Sequence, residues 1–267
     1  MANSLILNIP HSSSYVPQED IRKVFLPQAD SNEQHPASTG RDKLIEQELL
    51  AMTDWYTDEL FDHSIGKAII APVSRLVCDV ERFSHDEQES MASRGMGFCY
   101  EKGSQNQEIK NCPPEYRDEI LWRYYAPHHI ALTDAVESAL IRSRSALILD
   151  CHSFSPEPLP YEPQQAYDRP DICIGTDEYH TSCNLEIAVE KFFRKRGFTV
   201  SLNNPYSGTI VPLRHYRKDK RVQSIMIEVN RGLYLEPGTS DKNDDFLMIM
   251  KILFDLEIMM SVGSWNE

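Results

Sequence analysis

Two stretches of this sequence end alike, with an apolar run that leads into histidine and serine. Leu5-Ile6-Leu7-Asn8-Ile9 passes through Pro10 to His11-Ser12, and Ala146-Leu147-Ile148-Leu149 passes through Asp150-Cys151 to His152-Ser153. A histidine just past a buried strand is held by a rigid element and still faces the crevice at the strand's carboxyl end, where α/β sheets bind ligands. Two such histidines on neighbouring strands could share one metal ion. Imidazole suits zinc, and a catalytic zinc takes three protein ligands and keeps a fourth position for water. One histidine in this context is usually an ordinary polar loop residue; the repetition is what points to a metal.

The third ligand should be a carboxylate or another imidazole. Asp54, Asp58, Glu59, Asp79 and Asp150 all compete, and strand alternation does not exclude Asp150. Asp79 and Asp150 could instead orient a ligand imidazole from behind. Glu228 lies inside Ile225-Met226-Ile227-Glu228-Val229, a run that otherwise reads as buried strand. A charge there is costly unless paired or functional. By itself it reads as a salt-bridged strand-end glutamate; beside a metal it becomes the natural general base for a bound water. Arg75 and Arg82 bracket Leu76 to Val80, which reads as a strand. Only the carboxyl end would face the site, so Arg82 is the expected clamp on a substrate carboxylate, and Arg75 reads equally well as a surface ion pair. Tyr206-Ser207-Gly208 form a turn with hydroxyl donors and a glycine that lets backbone approach a ligand. Arg231 is a further candidate for the substrate's carboxylates.

These residues need a scaffold, and its elements can be read from the apolar periodicity. Strands are expected at 5–9, 146–151, 171–175, 198–202 and 222–229, and at 68–73 and 76–80, either as two strands or as one strand bent at Pro72. Asp42 to Phe61 reads as two helical pieces that break near Thr53-Asp54, with Thr53 as N-cap of the second. Pro113-Pro114 opens a long helix to about Arg144. Further helices are expected at 180–196, closed by Gly197, and at 241–260. Residues 84–113 are polar and lack a clear period, so they read as a long surface excursion bordering the site. Strands alternating with helices predict an α/β fold with a mixed, mostly parallel sheet flanked by helices. No linker divides the chain, so residues 1–267 are read as a single metal-hydrolase domain.

The bulk composition bounds the partners. With 41% hydrophobic and 25% charged residues the chain can build a full core. A net charge of −14 would repel a phosphate backbone, so nucleic acid is not expected. A few arginines in a cleft can still capture a small anion. The six cysteines show no CxxC spacing, so no disulfide framework and a reducing compartment are expected. Neither a signal peptide nor a membrane span is evident, so the expected location is cytoplasmic, without membrane association.

Assembled, these segments resemble the N-formylglutamate amidohydrolase (N-formylglutamate deformylase) family, related in fold to the zinc carboxypeptidases. The resemblance runs in order along nearly the whole chain. It is carried by Ile9-Pro10-His11-Ser12, Thr53-Asp54-Trp55-Tyr56-Thr57-Asp58-Glu59-Leu60-Phe61 and Ser74-Arg75-Leu76-Val77-Cys78-Asp79-Val80-Glu81-Arg82. It continues through Asp150-Cys151-His152-Ser153-Phe154, Asp171 to Thr176, Asn204-Pro205-Tyr206-Ser207-Gly208 and Met226-Ile227-Glu228-Val229-Asn230-Arg231-Gly232-Leu233-Tyr234. The resemblance implies Zn2+, or another divalent transition metal, on His11, Asp54 and His152, with Asp58 the fallback for Asp54. It implies Glu228 as general base and Arg82 as carboxylate clamp. The implied reaction is hydrolysis of N-formyl-L-glutamate to formate and glutamate. The alternatives are a related zinc hydrolase acting on another acyl amino acid or short peptide, and a non-catalytic ligand-binding relative. The pattern departs from the zinc carboxypeptidases, whose first histidine and glutamate lie three residues apart: here that position is Ser14, and the acidic ligand comes more than forty residues later.

Overall fold

The computed structural model describes residues 4–26 and 37–263. Six strands form one sheet: β1 (Ser4–Ile9), β2 (Lys67–Ile70), β3 (Ala146–Phe154), β4 (Ile172–Gly175), β5 (Val200–Leu202) and β6 (Val222–Asn230), in the order β2-β1-β3-β6-β4-β5. β1 runs parallel to β2 and β3, and β3 parallel to β6. Only the β4–β6 pairing is antiparallel, and β5 follows β4 in parallel. This is the mixed, mostly parallel α/β sheet that the alternation of elements predicts.

The period of two along the strands sorts residues onto two faces. Leu5, Leu7 and Ile9 of β1, Leu147, Leu149 and Cys151 of β3, and Ile225, Ile227 and Val229 of β6 share one face. They pack on residues of α3 (Thr57–Phe61), α6 (Cys183–Arg194) and α7 (Phe246–Val262). Ile6, Ile148 and Val222 meet Leu132, Val136 and Ala139 of α5 (Ala126–Ser143) on the other. Towards the carboxyl ends the same alternation continues on this second face as Asn8, Asp150, His152, Ser224, Met226 and Glu228. One face of the sheet therefore changes from apolar to polar along its length.

The helix opened by Pro113-Pro114 is continuous, as α4 (Pro114–Ile120), a π-helical turn (Leu121–Tyr125) and α5. The π turn lies just ahead of Pro127, which has no N–H for the carbonyl of Arg123 and would crowd it. α1 (Gln18–Lys23) and α2 (Ala37–Met52) complete the α-helices among the described residues, and short 3-10 turns lie at Asp86–Gln88, Ala92–Arg94 and Arg231–Leu233.

Four expectations are corrected. Residues 76–80 are a buried turn, not a strand: a short apolar run is compatible with either, and Leu76, Val77 and Val80 are buried in a second core made without the sheet. Residues 84–113 border the cleft through Glu89, Ser90 and Met91, but they are a surface excursion only as far as Gly95, because Met96, Phe98, Cys99, Tyr100, Ile109 and Cys112 are buried in that same core. Cys99 and Cys112 form a disulfide. Thr53 does not cap α3; that position is Tyr56, in the left-handed region at φ 62°. Among the described residues no helix is long and apolar enough to cross a membrane.

Candidate functional site

His11 emerges from β1 and His152 from the last third of β3, and because these strands are neighbours the rings lie 5.1 Å apart. Asp54 comes from the break after α2, and its backbone N–H donates to the His11 carbonyl at 3.0 Å. Asp54 Oδ2 sits 3.1 Å from His152 Nδ1 and 3.6 Å from His11 Nδ1. Ligands at ~2.1 Å around a tetrahedral metal are separated by roughly 3.4 Å, so these spacings fit one ion. His11 Nδ1 is buried with no hydrogen-bond partner. The three donors lie within 4.8 Å of one another and all three residues are buried. Asp58 is exposed on α3, outside this cluster.

Behind these three side chains stands a second layer of carboxylates. His11 Nε2 is 2.9 Å from Asp79 Oδ1. Asp79 Oδ2 accepts from Arg75 Nη2 at 2.9 Å and from the Tyr100 hydroxyl at 2.5 Å. His152 Nε2 is 3.2 Å from Asp150 Oδ1 and 3.0 Å from Glu81 Oε2. Asn8 Nδ2 donates to both Asp150 and Glu81, at 2.8 Å each. Glu81, Asp150 and His152 are also close enough to hold a metal. Their oxygens are occupied by Asn8 and the Ile210 N–H, whereas His11 Nδ1 is vacant, so the His11–Asp54–His152 group fits an ion better.

The charges respond to one another. Burial opposes ionisation of Asp79, but His11, Arg75 and Arg82 hold its carboxyl well below the usual range. Burial likewise opposes the charge on Asp150, which His152 brings down to about 2. Burial and Arg75 push against His11, yet Asp79 and Asp54 raise it. His152 is raised well above its ordinary value against its burial by Glu81, Asp150 and Asp54. Glu228 differs. It is in register with His152 across the β3–β6 pair, and its Oε2 is buried without a partner. Burial pushes it up to about 8.

The other candidates line the same cleft of about 560 Å³. Arg82 makes looser ion pairs, at 3.7 Å with Asp79 and 3.6 Å with Glu89, and its Nε has no hydrogen-bond partner. Arg75 is engaged by Asp79 and Tyr100. Arg231 donates to the carbonyls of Thr53 and Ala51, beside Asp54. Tyr206, Ser207 and Gly208 form the opposite wall. Gly175 lets that loop cross β4, since a Cβ there would stand 2.2 Å from the Gly208 carbonyl oxygen. A cleft of about 630 Å³ between β2 and α5 contains none of the candidate ligands.

Sequence reasoning did not single out Asn8, Glu81 or Tyr100. Asn8 carried a signal, a polar residue inside an apolar strand, of the same kind that drew attention to Glu228. Tyr100 carried none, because its segment has no periodicity.

A sequence model of the N-formylglutamate amidohydrolase family matches residues 3–235. No curated protein matches the chain significantly. Among solved structures, the fold is similar to that of an N-formylglutamate amidohydrolase from Ralstonia eutropha JMP134, with a TM-score of 0.78 at 24% identity over 97% of this chain and 93% of that one. It is also similar to a gene product from Agrobacterium tumefaciens, with a TM-score of 0.62 at 17% identity over 99% of this chain and 92% of that one.

Proposed function

The chain belongs to the N-formylglutamate amidohydrolase family, and from that premise we propose that it hydrolyses N-formyl-L-glutamate to formate and glutamate, using a divalent metal, zinc by preference, on His11, Asp54 and His152. The observation that carries this reading is one arrangement: a buried His–Asp–His group with a vacant imidazole nitrogen, next to a buried carboxyl whose free oxygen faces the same cleft. When bound, the metal would polarise the formyl oxygen and lower the pKa of its water toward about 7.

The rest is done by the chain. Glu228 takes the proton of the attacking water as the C–O bond forms, then gives it to the leaving amine as the C–N bond breaks. Its raised pKa suits both steps, and a cation beside it would favour the ionised form that starts the cycle. Asp79 orients His11, and Asp150 with Glu81 orients His152, so neither ring has to find its pose when the metal arrives. Arg82 meets a substrate carboxylate, with Arg75 and Arg231 adding positive field behind it. Tyr206, Ser207 and Gly208 close the opposite wall around the acyl group.

A second reading has one observation in its favour. Arg82 alone among these arginines keeps its guanidinium free of hydrogen bonds to the protein in the described contacts, whereas glutamate brings two carboxylates. That arrangement also suits an N-acyl amino acid with a neutral side chain. Formate release from N-formyl-L-glutamate by zinc-loaded protein, beside a chelator-treated sample, tests the first reading. Metal-dependent turnover is expected. A folded, zinc-loaded protein that releases no formate from this substrate, but does from a neutral N-formyl amino acid, would favour the second.

A further inference from the structure

Asp79, which holds His11, lies in a turn that no strand supports; Arg75 and the Glu81 N–H of that turn bond its carboxylate, and the remaining support comes from residues 98–112. The Phe98 carbonyl accepts the Asp79 N–H at 2.8 Å. The Tyr100 hydroxyl donates to Asp79 Oδ2 at 2.5 Å and accepts from Arg75 Nε at 3.2 Å. Burial raises the Tyr100 pKa, so the phenol stays protonated and remains a donor. From the other side, the buried Lys110 Nζ donates to the carbonyls of Leu76 at 2.5 Å and Val77 at 3.1 Å, in the same turn. These contacts come from two limbs, one carrying Phe98 and Tyr100 and the other carrying Lys110. The limbs are tied by the Ile109 N–H to the Glu101 carbonyl at 2.9 Å and by the Lys102–Glu108 bridge. The Cys99–Cys112 disulfide then joins the neighbour of Tyr100 to a position two residues past Lys110.

We propose that this clasped, two-limbed segment is the orienting arm of the metal site, with Tyr100 as a positioning residue that fixes the Asp79 carboxylate and so aims His11 Nδ1 at the metal. The inference rests on the metal reading of His11, Asp54 and His152. A carboxylate held at one oxygen, here by His11 and by the Glu81 N–H at 3.0 Å, still has freedom at the other. Tyr100 and Arg75 at the second oxygen remove that freedom before the metal binds, so ordering the ring costs less on binding. Without the hydroxyl, only Arg75 hydrogen-bonds that oxygen, with Arg82 Nε farther off at 3.7 Å, and Arg75 must also serve Asp54 at 3.8 Å.

The test is zinc affinity, read by chelator competition, together with the visible absorption of the cobalt(II)-loaded protein. Four proteins are compared: wild type, Tyr100→Phe, the Cys99→Ser/Cys112→Ser pair, and Ile109→Val as a control. Tyr100→Phe is expected to lose about tenfold or more in zinc affinity, the range seen for groups that orient metal ligands, and to weaken the cobalt bands. In the fully loaded variant the KM for substrate stays unchanged. The cysteine pair should move in the same direction by less, because it acts through Tyr100. Ile109→Val trims the same core and should lower Tm without changing zinc affinity. Wild-type affinity and spectrum in Tyr100→Phe would overturn the inference. Should that variant not fold, wild-type values in the cysteine pair would overturn it instead. A wild-type protein that binds no zinc would overturn the metal reading itself, a result distinct from either.

Discussion

In the cleft, His11 Nε2 lies 2.9 Å from Asp79 Oδ1; between α3 and α7, His63 Nδ1 lies 2.6 Å from Glu257 Oε1. Both pairs are largely buried and both join an imidazole to a carboxylate, yet they settle in opposite protonation states. At His63–Glu257, burial dominates: it lowers His63 and pushes Glu257 up to about 8, so the pair rests as neutral imidazole and neutral acid. Phe254, edge-on at 5.2 Å, is the nearest ring, and no arginine stands beside the pair in its described contacts. At His11–Asp79 burial is more complete, but His11, Arg75 and Arg82 keep the carboxylate ionised, and the Tyr100 hydroxyl donates to it. The lesson is that a buried histidine–acid contact is not in itself a charged or functional one. The groups behind the acid decide.

The largest expected effect concerns Glu228, which shares burial with Glu257 but faces the cleft. Glu228→Gln should cut turnover by about 10²- to 10⁴-fold, the usual worth of a general base, while zinc binding survives. Full activity in that variant would remove Glu228 from the reaction. Asp79→Asn then tests the two pairs against each other: it should lower zinc affinity by about 10- to 100-fold, whereas Glu257→Gln should leave affinity and turnover as they are. An equal response to both substitutions would erase the contrast drawn above.

Proton release comes next in size. His11 and His152 are both raised in the metal-free protein and must be neutral to bind a cation through Nδ1. Zinc addition near neutral pH should therefore release protons from the site, measurable in weakly buffered solution or from the buffer dependence of the binding heat. Release that disappears in His63→Gln would place the protons in the wrong pair. The smallest effect is on stability. Glu257 moves from 4.5 to about 8 on folding, so between those values the unfolded chain gives up a proton that the native protein keeps. Stability of the metal-free protein should fall as pH rises through that window, and Glu257→Gln should reduce that slope, to which Glu228 also contributes. Denaturant melts at several pH values check this; an unchanged slope would mean Glu257 is ionised in the fold.

The strands that carry His11, His152 and Glu228 were legible because local rules govern them: apolar runs of strand length, each ending where polarity begins. Period two then puts His152 and Glu228 on one face, and the parallel register makes them neighbours. The second core was not legible in the same way. Leu76 to Val80 has a strand's composition, but a buried turn accepts the same residues, and only the packing of Phe98, Tyr100 and Ile109 around it selects the turn. The Cys99–Cys112 pairing has no spacing signature, and Tyr100 reaches Asp79 across 21 residues with no pattern between them.

What this sequence determines by itself is the mixed α/β sheet and the set of chemical groups at its carboxyl edge, because strand period and residue type act over a few neighbouring residues. Asp54 was chosen among five acids only by resemblance to a family; in the fold it is distinguished by its N–H bond to the His11 carbonyl, a contact between distant segments. Tertiary structure alone decided which carboxylate stands behind which histidine, which arginine is only loosely paired, and which buried pair keeps its charge. Each of these depends on several segments converging within a few ångströms, where burial sets the electrostatic stakes and the last group to arrive sets the sign.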